Sequence, residues 1–117
     1  LLLDDTSPAH AGSDRIAEAI RYMNRHLFEE LSVQEVAASV SLSSSHFSRQ
    51  FKAKTGYSPY EYIILRRIDK AKYLLTSTPL SVKEIAYATG FADVCTFSRF
   101  FAKGMGMSPT KYRLAFV

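Results

Sequence analysis

One heptapeptide pattern occurs twice in this chain, and the recurrence constrains the fold more than any other feature. Leu31-Ser32-Val33-Gln34-Glu35-Val36-Ala37 returns as Leu80-Ser81-Val82-Lys83-Glu84-Ile85-Ala86. After one inserted residue, Phe47-Ser48-Arg49-x-Phe51 returns as Phe97-Ser98-Arg99-x-Phe101, and Gly56-x-Ser58-Pro59-x-x-Tyr62 as Gly106-x-Ser108-Pro109-x-x-Tyr112. Capping, core and terminator positions recur together at a period of about 50 residues. Two copies are too few for a solenoid, which needs roughly three or more, and suit two copies of a small module instead.

The local signals within each copy are helical. Ile16, Ile20, Met23 and Leu27 fall at the helical period behind a possible cap at Ser13 or Asp14. Residues 1–13, with Pro8, Gly12 and small polar residues, read as a linker. Ser32 and Glu35 have the spacing of a capping box, as do Ser58 and Glu61 with Pro59 at the first helical position. A helix opening at Ser43 or Ser44 ends at Gly56, which suits a left-handed C-cap. Ile64, Ile68, Ala71 and Leu75 mark one face of a long helix that Thr78-Pro79 stops, a rod of ~27 Å at ~1.5 Å per residue. The expected organisation is a tail over 1–13, a first module over 14–58, a linker helix over 59–78 and a second module over 79–117.

Charge is uneven along the chain. Residues 1–35 hold seven acids against three arginines, whereas residues 36–117 hold twelve Lys and Arg against four acids. A basic body of this kind fits a polyanion partner, and charge alone fits a solvated surface equally well. Cys95 is the only cysteine, which excludes an internal disulfide and agrees with a reducing cytoplasm. No apolar run approaches the ~20 residues of a membrane-spanning helix, so no membrane partner is expected. The chain opens on Leu1 without Met, and a fragment of a longer protein is the expected reading.

Each module reads as a short helix, a tight turn and a second helix. Ala37 and Ala86 sit mid-face on the first helices, where a small side chain admits a close crossing. The turns are Val40-Ser41-Leu42-Ser43 and Thr89-Gly90-Phe91-Ala92, with Leu42 and Phe91 expected to plug the crossing. Phe47 and Phe51, like Phe97 and Phe101, share a face that should be buried. The opposite faces carry Ser44, Ser45, Ser48, Arg49 and Lys52, then Val94, Cys95, Thr96, Arg99 and Lys103. That is the layout of a helix-turn-helix reader, whose second helix enters the major groove. Arg matches guanine O6 and N7, Ser and Thr serve several bases, and Val94 and Cys95 could touch a thymine methyl. Ser58 and Ser108 open later helices and are candidates for phosphate contacts, together with Lys52, Lys103, Thr110, Lys111 and Arg113.

Gly90 to Arg113, GFADVCTFSRFFAKGMGMSPTKYR, resembles the signature of the AraC/XylS family of bacterial regulators. Leu65-Arg66-Arg67-Ile68-x-x-Ala71-x-x-Leu74-Leu75 behind the first copy is similar to that family's linker helix. The resemblance covers roughly residues 14–114. It implies an all-α fold of seven helices, two helix-turn-helix subdomains joined by a long helix and set on one face of the same duplex. It implies base reading by Ser44, Ser45, Ser48 and Arg49, then by Val94, Cys95, Thr96 and Arg99. It also implies a transcription regulator, mostly an activator contacting RNA polymerase, with a sensing domain elsewhere in the chain. A monomer would read an asymmetric bipartite site. The chain departs from the family where Cys95 and Thr96 replace a Ser and an aromatic, and where Ala102 replaces a Lys. Gly104 near the end of that helix costs ~1 kcal/mol relative to Ala.

Other chemistries find little support. His10, His26 and His46 are scattered and Cys95 has no cysteine partner, against a four-ligand zinc site. The serine run Ser41–Ser48 lacks a nucleophile elbow and a base partner. No catalytic residues and no cofactor are expected. The Tyr and Phe residues recur at helical spacing, as core residues do, and not as stacking platforms for single strands.

Overall fold

A computed structural model describes residues 8–116. Among them lie seven helices and no strand: α1 (Pro8–Arg25), α2 (Val33–Ser39), α3 (Ser44–Thr55), α4 (Pro59–Ser77), α5 (Val82–Ala88), α6 (Val94–Met105) and α7 (Pro109–Ala115). The all-α expectation is met. One boundary moves: α1 runs from Pro8, so residues 8–13 are helix and not linker. Proline is tolerated in a first helical turn, and Ala9 and Ala11 favour helix enough to carry the chain through Gly12. Residues 1–7 of the expected linker lie outside the described residues.

The described residues divide into two compact units, residues 8–26 with 31–62 and residues 27–30 with 63–116. The division falls inside α4. The helix read as a separate linker gives its first turn to the first unit and the rest to the second.

In the first unit α1 packs on α2 and α3. Ile16, Ala19 and Met23 of α1 are buried with Val36, Ala37, Val40, Phe47 and Phe51. The rings of Phe47 and Phe51 lie 5.5 Å apart, and Tyr62 meets Phe51 edge-on at 5.3 Å. Leu27 departs from its expected place. It is buried, but it follows the end of α1 and belongs to the second unit.

In the second unit Ile64, Ile68, Ala71 and Leu75 of α4 form one core with Ile85, Ala86, Phe91, Phe97 and Phe101. Phe91 meets Phe97 edge-on at 5.2 Å, and Tyr112 meets Phe101 at 5.4 Å. Ala37 and Ala86 are both fully buried, as the close crossings require. Burying such phenyl rings is the main stabilising term, and truncating one to Ala costs about 3–5 kcal/mol.

A buried arginine sits inside this second core. Arg67 is 8 % exposed. Its Nε donates to the Leu27 carbonyl (2.8 Å), Nη1 to Gly90 (3.0 Å) and Nη2 to Glu29 (2.9 Å). The guanidinium also lies 5.9 Å from the Phe91 ring centre. A buried cation is costly unless its donors are satisfied, and three carbonyls on two loops satisfy this one.

Candidate nucleic-acid interface

Helices α3 and α6 are each fixed at both ends by their own sequence. The Ser43 Oγ accepts from the His46 N–H (3.2 Å) to open α3, and the Asp93 Oδ1 accepts from the Thr96 N–H (2.7 Å) to open α6. Gly56 (φ 85°) and Gly106 (φ 75°) close them in the left-handed conformation that glycine adopts without penalty. The preceding helices carry complete capping boxes, Ser32 with Glu35 and Ser81 with Glu84. Rotation about each axis is set by a fully buried Phe pair, Phe47 with Phe51 and Phe97 with Phe101.

With those rings inward, the opposite faces turn to solvent. On α3, Ser45, Arg49 and Lys52 are exposed, and Ser44 and Ser48 are half-buried. On α6, Cys95, Arg99 and Lys103 are exposed, and Thr96 is half-buried with its Oγ1 3.2 Å from Asp93 Oδ2. Val94 stands apart from this set. It is half-buried and packed against the core of its own unit, which makes its role in part structural. Ser98, at the same place as Ser48, is also half-buried at the edge of that face. The repeat carries the signal for Ser98, which was not among the expected readers. His46 is exposed and lies 3.1 Å from the Gln50 amide nitrogen, which ties two polar residues of α3 together.

The expected phosphate residues divide. Lys52, Lys103, Thr110 and Lys111 are exposed. Arg113 is engaged elsewhere: Nε donates to the Leu75 carbonyl (2.9 Å) and Nη2 to Thr78 (3.1 Å), so it caps the C-terminal end of α4. Orphan carbonyls at a helix end attract a guanidinium, and Arg113 is reassigned from phosphate contact to that role. Ser58 is also occupied. Its N–H donates to Glu61 Oε1 (2.9 Å), and the Glu61 N–H donates back to Ser58 Oγ (3.1 Å). A carboxylate already stands where a phosphate would sit. Ser108 caps the Lys111 N–H in the same way (3.1 Å), but Lys111 stands in α7 where Glu61 stands in α4.

Two carboxylates are held below the ordinary carboxylate range by the bonds they accept. Glu84 accepts from the Ser81 N–H, and Asp93 from the Thr96 N–H, with Arg99 adding a weaker electrostatic pull on Asp93. Among the described residues no three His, Cys, Asp or Glu side chains come together as a metal site would need, and Cys95 is a free, exposed thiol. No described helix is long and apolar enough to cross a membrane.

The sequence model of a helix-turn-helix domain matches residues 36–115. The chain belongs to the AraC-type family of helix-turn-helix transcription regulators. This AraC-type domain is 38 % identical over 106 residues to the MmsAB operon regulatory protein of Pseudomonas aeruginosa, covering 91 % of this chain and 34 % of that protein. It is 37 % identical over 99 residues to the HTH-type transcriptional activator RhaS of Enterobacter sp. strain 638, covering 85 % of this chain and 36 % of that one. It resembles the crystal structure of the DNA-binding domain of AdpA in complex with a target DNA, with a TM-score of 0.82 and 33 % identity over 86 % of this chain and 91 % of that chain. The AraC-type domain thus spans only about a third of the length of the curated relatives it matches. By name these relatives are an operon regulatory protein, a transcriptional activator and a global transcriptional factor.

Proposed function

We propose that this AraC-type domain reads double-stranded DNA sequence-specifically, with α3 and α6 in adjacent major-groove segments of one asymmetric bipartite site. The observation that carries the reading is the duplicated face: an exposed arginine, Arg49 or Arg99, one turn from the N-terminal polar residues of a helix held by two buried phenyl rings. An exposed arginine on a rigid helix is the commonest direct reader of guanine. Base contacts are assigned to Ser44, Ser45, Ser48 and Arg49, and to Cys95, Thr96 and Arg99 with Val94 at their edge. Phosphate contacts are assigned to Lys52, Lys103, Thr110, Lys111 and Ser108. The likeness to AdpA, solved on its target DNA, supports this use of the fold.

In the full-length protein this domain works as a transcription activator that contacts RNA polymerase, in the cytoplasm, under control of a sensing domain upstream. The relative named as an activator and the short span of the match support that reading.

Competition binding at fixed salt tests the base-reading assignment. Arg49→Ala costs about 1–3 kcal/mol on the preferred site and relaxes the preference at one base pair of one half-site; Arg99→Ala does the same in the other. Equal weakening on every sequence would make these arginines phosphate clamps. An Arg99→Ala variant indistinguishable from wild type would remove α6 from the interface.

A further inference from the structure

The two reading helices open on different caps. In α3 the cap is Ser43, a neutral hydroxyl whose oxygen accepts from the His46 N–H and whose proton stays available. In α6 the cap is Asp93, and both of its oxygens face Thr96: Oδ1 lies 2.7 Å from the Thr96 amide nitrogen and Oδ2 lies 3.2 Å from Thr96 Oγ1. An ionised carboxylate has no proton to give, so the Thr96 hydroxyl must be the donor in the second bond. Its only proton is then committed, and Thr96 Oγ1 keeps lone pairs alone. The lone pairs of Asp93 are acceptors too, and the residue is exposed. The Asp93–Thr96 side-chain pair at the opening of α6 is therefore acceptor-only, while Arg99 farther along the helix is donor-only.

Major-groove base edges divide along the same line. Cytosine N4 and adenine N6 are amino donors, whereas guanine O6 and N7 and thymine O4 are acceptors. An acceptor-only pair of side chains bonds to an amino group and leaves lone pairs facing lone pairs at guanine or thymine. Resting on the DNA-reading assignment of α6, we propose that Asp93 is a specificity-determining residue: it fixes the Thr96 hydroxyl proton, so that the Asp93–Thr96 pair selects an amino-bearing base, cytosine or adenine, on the contacted strand. Module one has no such constraint, because the Ser43 hydroxyl both donates and accepts.

The test is competition binding of the chain against duplexes in which each base pair of both half-sites is varied, for wild type, Asp93→Ser and Asp93→Asn. Ser copies the cap of α3 and Asn caps comparably, so both variants should melt within a few degrees of wild type. Wild type prefers C or A over G or T by roughly tenfold at one position of the second half-site, the usual scale of a single mismatch. Asp93→Ser reduces that preference to less than about threefold and leaves the first half-site as in wild type. Asp93→Asn, whose amide can donate, raises G or T at the same position. An unchanged preference profile in both variants overturns the proposal, as does a wild type without the amino-base preference in a second half-site that is otherwise read. Wild-type binding without sequence preference in either half-site would instead overturn the DNA-reading assignment itself. If Asp93→Ser melts far below wild type, the near-isosteric Asp93→Asn alone decides.

Discussion

Ser41 and Gly90 occupy the same turn position in the two copies, and both have positive φ, 60° and 94°. The difference between them lies in what stands opposite. With the buried stripes of α1 and α4 aligned, Ile16 with Ile64 and Met23 with Ala71, Arg67 falls at the place of Ala19. A Cβ added to Gly90 would meet Arg67 Cζ and Nε at 2.9 Å. Gly90 thus answers two demands, the backbone angle and the buried guanidinium, whereas Ser41 faces the first alone. Exchanging the residues should be asymmetric. Ser41→Gly leaves stability within about 1 kcal/mol of wild type, because relief of the left-handed strain offsets the flexibility gained by the unfolded chain. Gly90→Ser destabilises by about 2–4 kcal/mol, through strain added to the clash with Arg67. Urea unfolding of both variants checks this, and equal losses would mean that Arg67 does not shape the turn. Gly90 was legible in the sequence as a turn glycine. Arg67 was not, because a charged residue within an amphipathic helix reads as solvent-facing until its three carbonyl partners, which lie 23 to 40 residues away, are in place.

At the scale of elements, short helices depend on their ends. α2, α5 and α7 have seven residues each, too few to be stable without caps and packing. Glu84 and Asp93 cap α5 and α6 as carboxylates whose folded pKa lies below the ordinary range, Glu84 through the Ser81 N–H and Asp93 through the Thr96 N–H. A group depressed in the folded state contributes stability that is complete above its unfolded pKa. That contribution is lost as pH falls through the folded pKa, here from about pH 4 downward. Wild type should therefore lose more melting temperature between pH 7 and pH 3 than the double variant Glu84→Gln, Asp93→Asn. Both replacements keep the cap at neutral pH but do not titrate. Identical losses would show that these caps are not linked to protonation. Most caps were legible in the sequence, but not those of α1 and α6: Ser13 and Asp14, read as caps, lie inside α1, and Asp93 carried no signal that marked it as a cap. The Ser-x-x-Glu boxes, Gly56, Gly106 and the Ser-Pro openings all stand where their spacing predicts, since the signals act within a few residues. Less legible was the use of a cap by its neighbours. Ser58 reads as open to phosphate until Glu61 is seen to fill it, and Arg113 reads as basic surface until Leu75 and Thr78 turn their carbonyls to it.

For the whole molecule, duplication explains most of what the sequence foretold. A repeat that returns cap, core and terminator in order specifies two units with the same internal logic, and residues buried in one are buried in the other: Val36 and Ile85, Ala37 and Ala86, Phe47 and Phe97, Phe51 and Phe101. The boundaries were harder to read. Residues 27–30 belong with the second unit although α1 precedes them, because the Leu27 and Glu29 carbonyls accept from Arg67. The division within α4 was hidden for a different reason: one continuous apolar stripe carries no mark of where its partner changes. The duplicated reading face leads to one claim about the intact domain, that both copies contact the same DNA. Selection from a random duplex library at near-physiological salt, with sequencing of what the domain retains, tests it most directly. The expected result is two different short motifs about one helical turn apart, as two major-groove readers on one duplex require. A single motif, or no enrichment at any salt, would contradict it.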